Sequence, residues 1–162
     1  MKRIITTLLL FVIICQINTV KTAPDGLDEF YIICKPGTCV NVRISPNSHA
    51  EIIGSKFFGD VVYVDKEKNG FVHITNLNSE YTDGWVSKGL IVEDQPVEVN
   101  RSGVIVSNAR VAGRKYVNGK VKTWLANGTE VTVYAESDEW CVTDKGYVRA
   151  EFIEIQEQEN ES

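Results

Sequence analysis

The sequence is poor in the residues that build helices. From Pro24 onward it holds 19 Val and 10 Ile but only 4 Leu and 6 Ala. β-Branched side chains lose rotamer freedom in a helix and fit the pleated surface of a sheet. No window of this part of the chain shows helical periodicity, so the composition predicts an all-β protein.

Basic residues are the second shortage. The 162 residues include 17 Lys and Arg against 22 Asp and Glu, which gives a formal net charge of −5. Proteins that bind nucleic acid usually carry a basic face and a pI above about 9, whereas the pI here is near 5.1. We therefore expect no nucleic-acid partner, and electrostatic docking on an anionic membrane is equally disfavoured.

Groups suited to catalysis or metal binding are also scarce. His49 and His73 are the two histidines, and the carboxylates are spread through turns with no pair at acid/base spacing. There is no Gly-rich phosphate loop. These shortages predict a protein that is not an enzyme and that has no cofactor and no metal site.

One long apolar run is present, at residues 4–15, with Lys2 and Arg3 before it and a polar stretch at 16–23 after it. This is the layout of a secretory signal peptide. As a helix the run would span about 18 Å, less than the roughly 30 Å of a hydrocarbon layer. We predict a chain that is secreted or held in the cell envelope, with no stable membrane insertion after processing.

Processing has two alternatives that the sequence leaves open. Cleavage after Ala23 or after Thr22 would remove the signal peptide, and Cys15 could instead carry a lipid, although Ile14 stands where such motifs need a small residue. Removal of residues 1–23 leaves 14 basic against 22 acidic residues, so the mature net charge is −8. The acidic excess therefore grows on export.

Three cysteines follow the signal peptide, and two of them flank a turn. Pro36-Gly37 between Cys34 and Cys39 suits the centre of a type II turn, and both flanks are strand-like. A hairpin there would bring the two Cys within disulfide range. We expect a Cys34–Cys39 disulfide, with free thiols or a metal pair as the alternatives, and we expect Cys141 to be a small apolar strand residue.

An internal repeat divides the chain. Residues 59–64 match residues 128–133 at an offset of 69, and residues 84–87 match residues 146–149 at an offset of 62. The difference between the two offsets is an insertion in the polar stretch 76–83 of the first copy, which is tolerated because loops lie at the surface. Each copy reads as a series of short strands separated by turns, which is typical of a small barrel or sandwich.

The motifs of the first copy resemble a bacterial SH3 (SH3b, SH3-like) domain, and the second copy is a divergent version with Tyr147 in place of the closing Trp. The motifs of the first copy are Val40-Asn41-Val42-Arg43, Ile53-Gly54, Gly59-Asp60-Val61-Val62, Asn69-Gly70-Phe71 and Gly84-Trp85-Val86. The resemblance implies an all-β protein of two tandem small SH3-like β-barrels. We expect large aromatic rings to anchor the two cores, namely Phe71, Trp85, Trp124, Trp140 and Tyr147.

These observations predict four regions. They are a signal peptide at 1–23, a first SH3-like domain at 24–95 with its core at 36–93, a second SH3-like domain at 96–155 and a disordered acidic tail at 156–162. The junction at 93–96 is too short for a flexible linker, which allows the two domains to pack against each other.

The resemblance also implies a function. SH3-like barrels grip partners through exposed aromatics beside variable loops, and the bacterial branch binds peptidoglycan peptides or other envelope components. The candidate contact residues in this chain are Phe57, Phe58, Tyr81 and Tyr116. We therefore expect a non-catalytic, exported binding module for a cell-wall peptide or envelope component. The alternative is a secreted protein–protein interaction or inhibitor-like module without wall affinity, and the acidic charge favours it.

Overall fold

Two antiparallel β-sheets of seven strands each make up the fold. The computed structural model describes residues 26–75 and 83–156. The all-β prediction is confirmed, since the described residues contain strands, turns and two short 3₁₀ helices. The predicted signal peptide, Tyr81 and the acidic tail beyond Gln156 lie outside the described residues.

The first sheet takes its strands from residues 28–92, which we call the first unit. Its strands are β1 (Asp28–Ile32), β2 (Cys39–Arg43), β3 (Ile52–Phe57), β4 (Val61–Lys68), β5 (Phe71–Thr75), β6 (Gly84–Ser87) and β7 (Ile91–Val92), with a 3₁₀ helix at Lys88–Leu90. Their order across the sheet is β3-β2-β6-β5-β4-β1-β7.

The second sheet takes its strands from residues 97–155, which we call the second unit. Its strands are β8 (Val97–Ile105), β9 (Val111–Arg114), β10 (Val121–Leu125), β11 (Glu130–Glu136), β12 (Trp140–Thr143), β13 (Gly146–Arg149) and β14 (Ile153–Ile155), with a 3₁₀ helix at Ala150–Phe152. Their order is β10-β9-β13-β12-β11-β8-β14. Corresponding strands therefore hold the same places in both sheets, as the repeat predicts.

The turn before the central strand shows how closely the copies agree. Gly59 and Gly128 both have positive φ, at 78° and 77°, a conformation that a residue with a Cβ rarely adopts. The N–H of Gly59 donates to Ile32 O, and that of Gly128 donates to Ile105 O. The shared glycine therefore sets the same turn against the same strand position in each unit.

Neither sheet closes into a barrel, which corrects the expectation of two closed barrels. Within the described residues the edge strands β3 and β7 of the first sheet are not paired with each other, nor are β10 and β14 of the second. The last strand of each unit is only two or three residues long and pairs with β1 or β8. Each last strand therefore pairs on one side within the described residues and leaves the sheet with two free edges.

Aliphatic side chains, rather than aromatic rings, fill the core of each unit. The first core includes Ile32, Val42, Val62, Ile74 and Val86, and the second includes Ile105, Val131, Val133 and Val148. The expectation of aromatic cores is wrong at Trp124, whose side chain is 57% exposed on the edge strand β10. Phe71 and Trp85 are only half-buried, and Trp140 and Tyr147 lie in a separate cluster between the units.

The prediction around Cys34 and Cys39 is right for the turn and wrong for the hairpin. Thr38 N–H donates to Lys35 O, and Gly37 has a φ of 78°, as a type II turn requires. However, β1 and β2 are not paired, because β4, β5 and β6 lie between them in the sheet. Cys34 points into the first core while Cys39 is exposed opposite Phe57, and both thiols are free, so the expected disulfide is absent from this structure.

Cys141 packs as expected of a small apolar residue. It is 2% exposed within the second core. Burial, followed by the nearby charge of Glu136, raises the pKa of its thiol to about 12. No helix among the described residues has the length and apolarity of one that crosses a membrane.

Candidate binding surfaces

The four contact residues predicted from the sequence are not gathered in one groove. Phe57 is exposed at the end of β3, with 60% of its surface accessible. Phe58 is half-buried between the first core and the cluster that joins the units, and Tyr116 belongs to that same cluster. Tyr81 lies outside the described residues. Packing thus occupies Phe58 and Tyr116, and ligand binding by any of the four stays a prediction.

A third hydrophobic cluster joins the two units. Its buried members are Ile33 and Val92 from the first unit, and Ala135, Trp140, Val142 and Tyr147 from the second. Ile33 is completely buried and Trp140 is 2% exposed. The two units therefore pack directly on each other, as the short junction allows.

The second unit holds a segment of the first unit on one face, and we call this surface the Tyr147 face (Tyr134, Val142 and Tyr147). The hydroxyl of Tyr147 donates a hydrogen bond of 3.1 Å to the backbone carbonyl of Ile33. Two residues further on, Lys35 Nζ lies 3.9 Å from the centre of the Tyr134 ring, in cation–π distance. This face therefore combines one apolar side chain, one backbone carbonyl and one cation of the bound segment.

The hydroxyl of Tyr147 is a dependable donor. Burial, helped by nearby Cys34, raises its pKa well above the usual value for a tyrosine. The group therefore stays protonated at physiological pH and can keep its bond to Ile33. A buried carbonyl left without this donor would cost about 1–3 kcal/mol.

A glycine permits the units to approach closely beside this face. Val117 N–H donates to Gly89 O at 2.9 Å. A Cβ placed on Gly89 would lie 2.4 Å from Cδ2 of Tyr116 and 2.8 Å from the carbonyl oxygen of Val117. Real side chains do not approach so closely, so only glycine lets Tyr116 pack against the first unit here.

The first unit carries a counterpart of the Tyr147 face at the same sheet positions, and we call it the Trp85 face (Asp65, His73 and Trp85). Trp85 is paired with His73 across β5 and β6 in the register that pairs Tyr147 with Val142 across β12 and β13. Asp65 lies at the same register shift of β4 that Tyr134 occupies in β11. Within residues 26–75 and 83–156, no segment packs on this face as residues 33–35 pack on its counterpart.

Polar contacts hold the Trp85 face in shape. His73 Nδ1 lies 2.7 Å from Asp65 Oδ1, and the rings of His73 and Trp85 meet edge to face with centroids 5.1 Å apart. Lys66 Nζ lies 5.8 Å from the centre of the Trp85 ring and 3.6 Å from Asp65 Oδ2. Trp85 is half-buried, and its indole N–H has no hydrogen-bond partner in the described part of the chain.

The carboxylate of Asp65 stays ionised on this face. Partial burial alone would raise its pKa, but the hydrogen bond and charge of His73, together with Lys66, lower the pKa below its usual value. The face therefore offers an aromatic ring, a free N–H donor and a negative charge. The ring and the N–H can take up an apolar side chain and a backbone carbonyl of a bound peptide, while His73 and Lys66 already contact the Asp65 carboxylate.

Sequence reasoning assigned Trp85 to the core and did not place it in a site. The signal that could have found it was the repeat itself, because Trp85 and Tyr147 are the matching closing aromatics. Strand alternation could not show which of the two would be covered by a neighbouring unit.

Metal chemistry has no candidate in the structure's described ranges. They contain no group of three or more His, Cys, Asp and Glu residues placed to hold an ion. His73 faces Asp65 and Trp85, and Cys141 is buried in the core.

Comparison with known proteins gives partial similarities to solved structures. No protein-family model matches the chain, and no curated protein matches it in sequence. Among solved structures it is similar to NlpC1 from Trichomonas vaginalis, with 18% identity and a TM-score of 0.34 over 83% of this chain and 48% of that one. It is also similar to NlpC2 from the same organism, with 18% identity and a TM-score of 0.33 over 84% of this chain and 50% of that one. The chain thus spans about half the length of the solved structures it matches.

Proposed function

We propose that the chain is a non-catalytic, exported binding module that holds a peptide on the Trp85 face. The observation that carries the proposal is that the Tyr147 face holds residues 33–35 of the neighbouring unit. The Trp85 face has the same place in the repeat and is free of such a segment among the described residues. A surface that binds a chain segment in one copy is thus available to a separate peptide in the other.

The differences between the faces indicate what the peptide presents. The indole N–H of Trp85 replaces the Tyr147 hydroxyl as donor to a backbone carbonyl. Asp65 stands where the Tyr134 ring contacts Lys35 in the second unit, but His73 and Lys66 already contact its carboxylate, so the peptide needs no cation at this place. The resemblance to bacterial SH3 domains supplies the source that we propose, which is a peptide of the cell wall.

Sedimentation with purified sacculi tests this function. The chain from residue 24 onward should pellet with the sacculi, and Trp85→Ala should weaken retention by about tenfold or more, because tryptophans at the centre of interfaces commonly dominate binding. Trp124→Ala is the matched control, since Trp124 is also an accessible tryptophan and lies on the second unit. Equal loss in both variants, or retention by Trp85→Ala, would overturn the assignment.

The second candidate is a secreted protein–protein interaction or inhibitor-like module without wall affinity. The mature net charge of −8 favours it, since anionic wall polymers repel an acidic protein. It predicts no pellet with sacculi and a protein partner whose binding is lost in Trp85→Ala. Hydrolysis of wall material by the purified mature chain would contradict both candidates.

A further inference from the structure

A groove of about 550 Å³, lined by residues of the second unit and by Lys35 of the first, is rich in positive charge in this acidic protein. Every ionisable side chain along it except that of Tyr147 is a cation, and no carboxylate lines it. We call it the lysine groove, after the five cations that line it: Lys35, Arg114, Lys115, Lys120 and Lys122.

Among residues 26–75 and 83–156, these cations have no acidic partner in a salt bridge. Outside the groove, Lys66, Lys88 and Lys145 each form a salt bridge, as with Lys145 and Asp144 at 2.6 Å. Within the described ranges, Lys115, Lys120 and Lys122 form no ion pair, and Lys35 contacts only the ring of Tyr134. Arg114 donates to the backbone oxygen of Gly119. Like charges that line one groove repel each other, and no carboxylate of the described residues lines this groove.

The repeat shows that the charge is particular to the second unit. Lys115 N–H donates to Lys120 O in the same bond that links Ile44 N–H to Glu51 O in the first unit. By the same register Lys122 corresponds to Ile53. The corresponding hairpin of the first unit, β2–β3, thus has two apolar residues and one acid where β9–β10 has three lysines. The backbone of this hairpin needs no lysine at those positions.

The groove also offers an apolar floor and a free strand edge. Val121, Val142 and Tyr147 line it together with the cations. Strand β10 is the edge of its sheet and pairs only with β9 among the described residues. An exposed edge can add an extended peptide through its unpaired backbone groups.

We propose that the lysine groove binds an extended acidic peptide laid along the edge of β10. Its carboxylates would contact Lys115, Lys120 and Lys122, and its apolar side chains would cover Val121, which is 38% exposed. This site differs from the Trp85 face in place and in ligand charge, so it stands or falls separately from the proposed function.

An acidic peptide fits the groove better than a polymer that carries only negative charge. Lysine ammonium groups attract any anion as point charges. The apolar floor, however, can also bind apolar side chains, and the strand edge can bind a peptide backbone. Phosphate polymers have neither of these groups. A polyanion without these features would gain only the electrostatic part.

Fluorescence anisotropy tests the proposal with a labelled decapeptide of alternating Glu and Val. We expect it to bind the chain from residue 24 onward, and we expect the Gln and Val version to bind at least about tenfold more weakly. Changing all three lysines to Gln (Lys115→Gln, Lys120→Gln and Lys122→Gln) should abolish the difference between the two peptides. Raising NaCl from about 0.05 to about 0.3 M should weaken binding, because salt screens exposed charges.

A charge-matched control separates the groove from net charge. Lys68→Gln, Arg101→Gln and Arg110→Gln together remove three cations outside the groove and should leave binding within about twofold of the parent. Thermal unfolding of both triple variants confirms that they are folded. Failure of the acidic peptide to bind, equal loss in both triple variants, or tighter binding of inorganic polyphosphate than of the peptide would each overturn the proposal.

Discussion

The same backbone position can be buried in one unit and exposed in the other. Ile33 N–H donates to Leu90 O, and Val106 N–H donates to Phe152 O, both at 3.0 Å. Ile33 is nevertheless fully buried, whereas Val106 is 48% exposed. The difference arises because the second unit covers Ile33, while no described segment covers Val106. The local sequence around Ile33 and Val106 does not show which of the two residues another unit covers.

Gly89 is the residue that sets the distance between the units. Gly89→Ala should lower the free energy of unfolding by about 1–3 kcal/mol, because its Cβ would meet Tyr116 and the carbonyl of Val117. Urea unfolding measures the loss. Gly54→Ala is the matched control, since its Cβ would find Val42 at an ordinary 3.8 Å. An equal cost at both positions would contradict the close approach.

Asp144 links protonation to stability. Its partial burial raises its pKa, but the ammonium of Lys145 and the N–H of Thr132, at 2.6 and 2.9 Å, lower it below the usual value. A lowered pKa stabilises the fold above the unfolded value, about 3.9, and this stability is lost as the pH falls through the folded pKa. Asp144→Asn should therefore destabilise the protein near pH 7 but not near pH 2, as measured by urea unfolding at each pH. A difference that does not change with pH would contradict this.

At the scale of elements, the internal repeat predicted more of the strand arrangement than the pattern of any single segment did. The offsets of 69 and 62 place β4 on β11 and β6 on β13, and the sheets share one strand order. The predicted β1–β2 hairpin failed because a turn fixes only where the chain reverses, and here three other strands of the sheet lie between the two strands that flank the turn. The prediction of barrels failed as well, since β7 and β14 each pair with one strand among the described residues and the alternation within a strand does not show whether a sheet closes.

Substitution of two tryptophans tests how much the burial of each side chain contributes to the free energy of unfolding. Trp140→Ala should cost about 3–5 kcal/mol, because this side chain is 2% exposed in the cluster between the units. Trp124→Ala should change the free energy of unfolding by about 0.5 kcal/mol or less, since the ring is 57% exposed on an edge strand. Chemical denaturation of the two variants gives the comparison. Similar costs would show that Trp124 packs in solution.

At the scale of the whole molecule, the two units do not use the same face of the repeat to contact each other. The Tyr147 face of the second unit is covered by the first, whereas no segment of the described residues packs on the Trp85 face in the same way. The sequence could therefore predict two copies and their matching aromatics, but not which copy covers the other. Phe58 and Tyr116, which the sequence suggested as exposed contact residues, pack instead against the cluster that joins the two units.

The junction should make the two units unfold together. Ile33 is fully buried in the cluster between them, so Ile33→Asp would place a charge in that cluster and separate the units. Calorimetry should show one transition for the parent chain and two for the variant. Val106→Asp, at the corresponding exposed position, should keep one transition. Two transitions in the parent chain would contradict the coupling.

The most direct test of the central claim is a titration of the ¹⁵N-labelled chain with soluble muropeptides, followed by NMR. The claim is that the Trp85 face is an accessible copy of a surface that holds a chain segment in the second unit. We expect the indole N–H of Trp85 and the amides of Asp65 and His73 to shift with saturation, while Tyr147 and its neighbours stay unchanged. Shifts confined to other surfaces, or an unmoved Trp85 resonance at excess muropeptide, would contradict the claim.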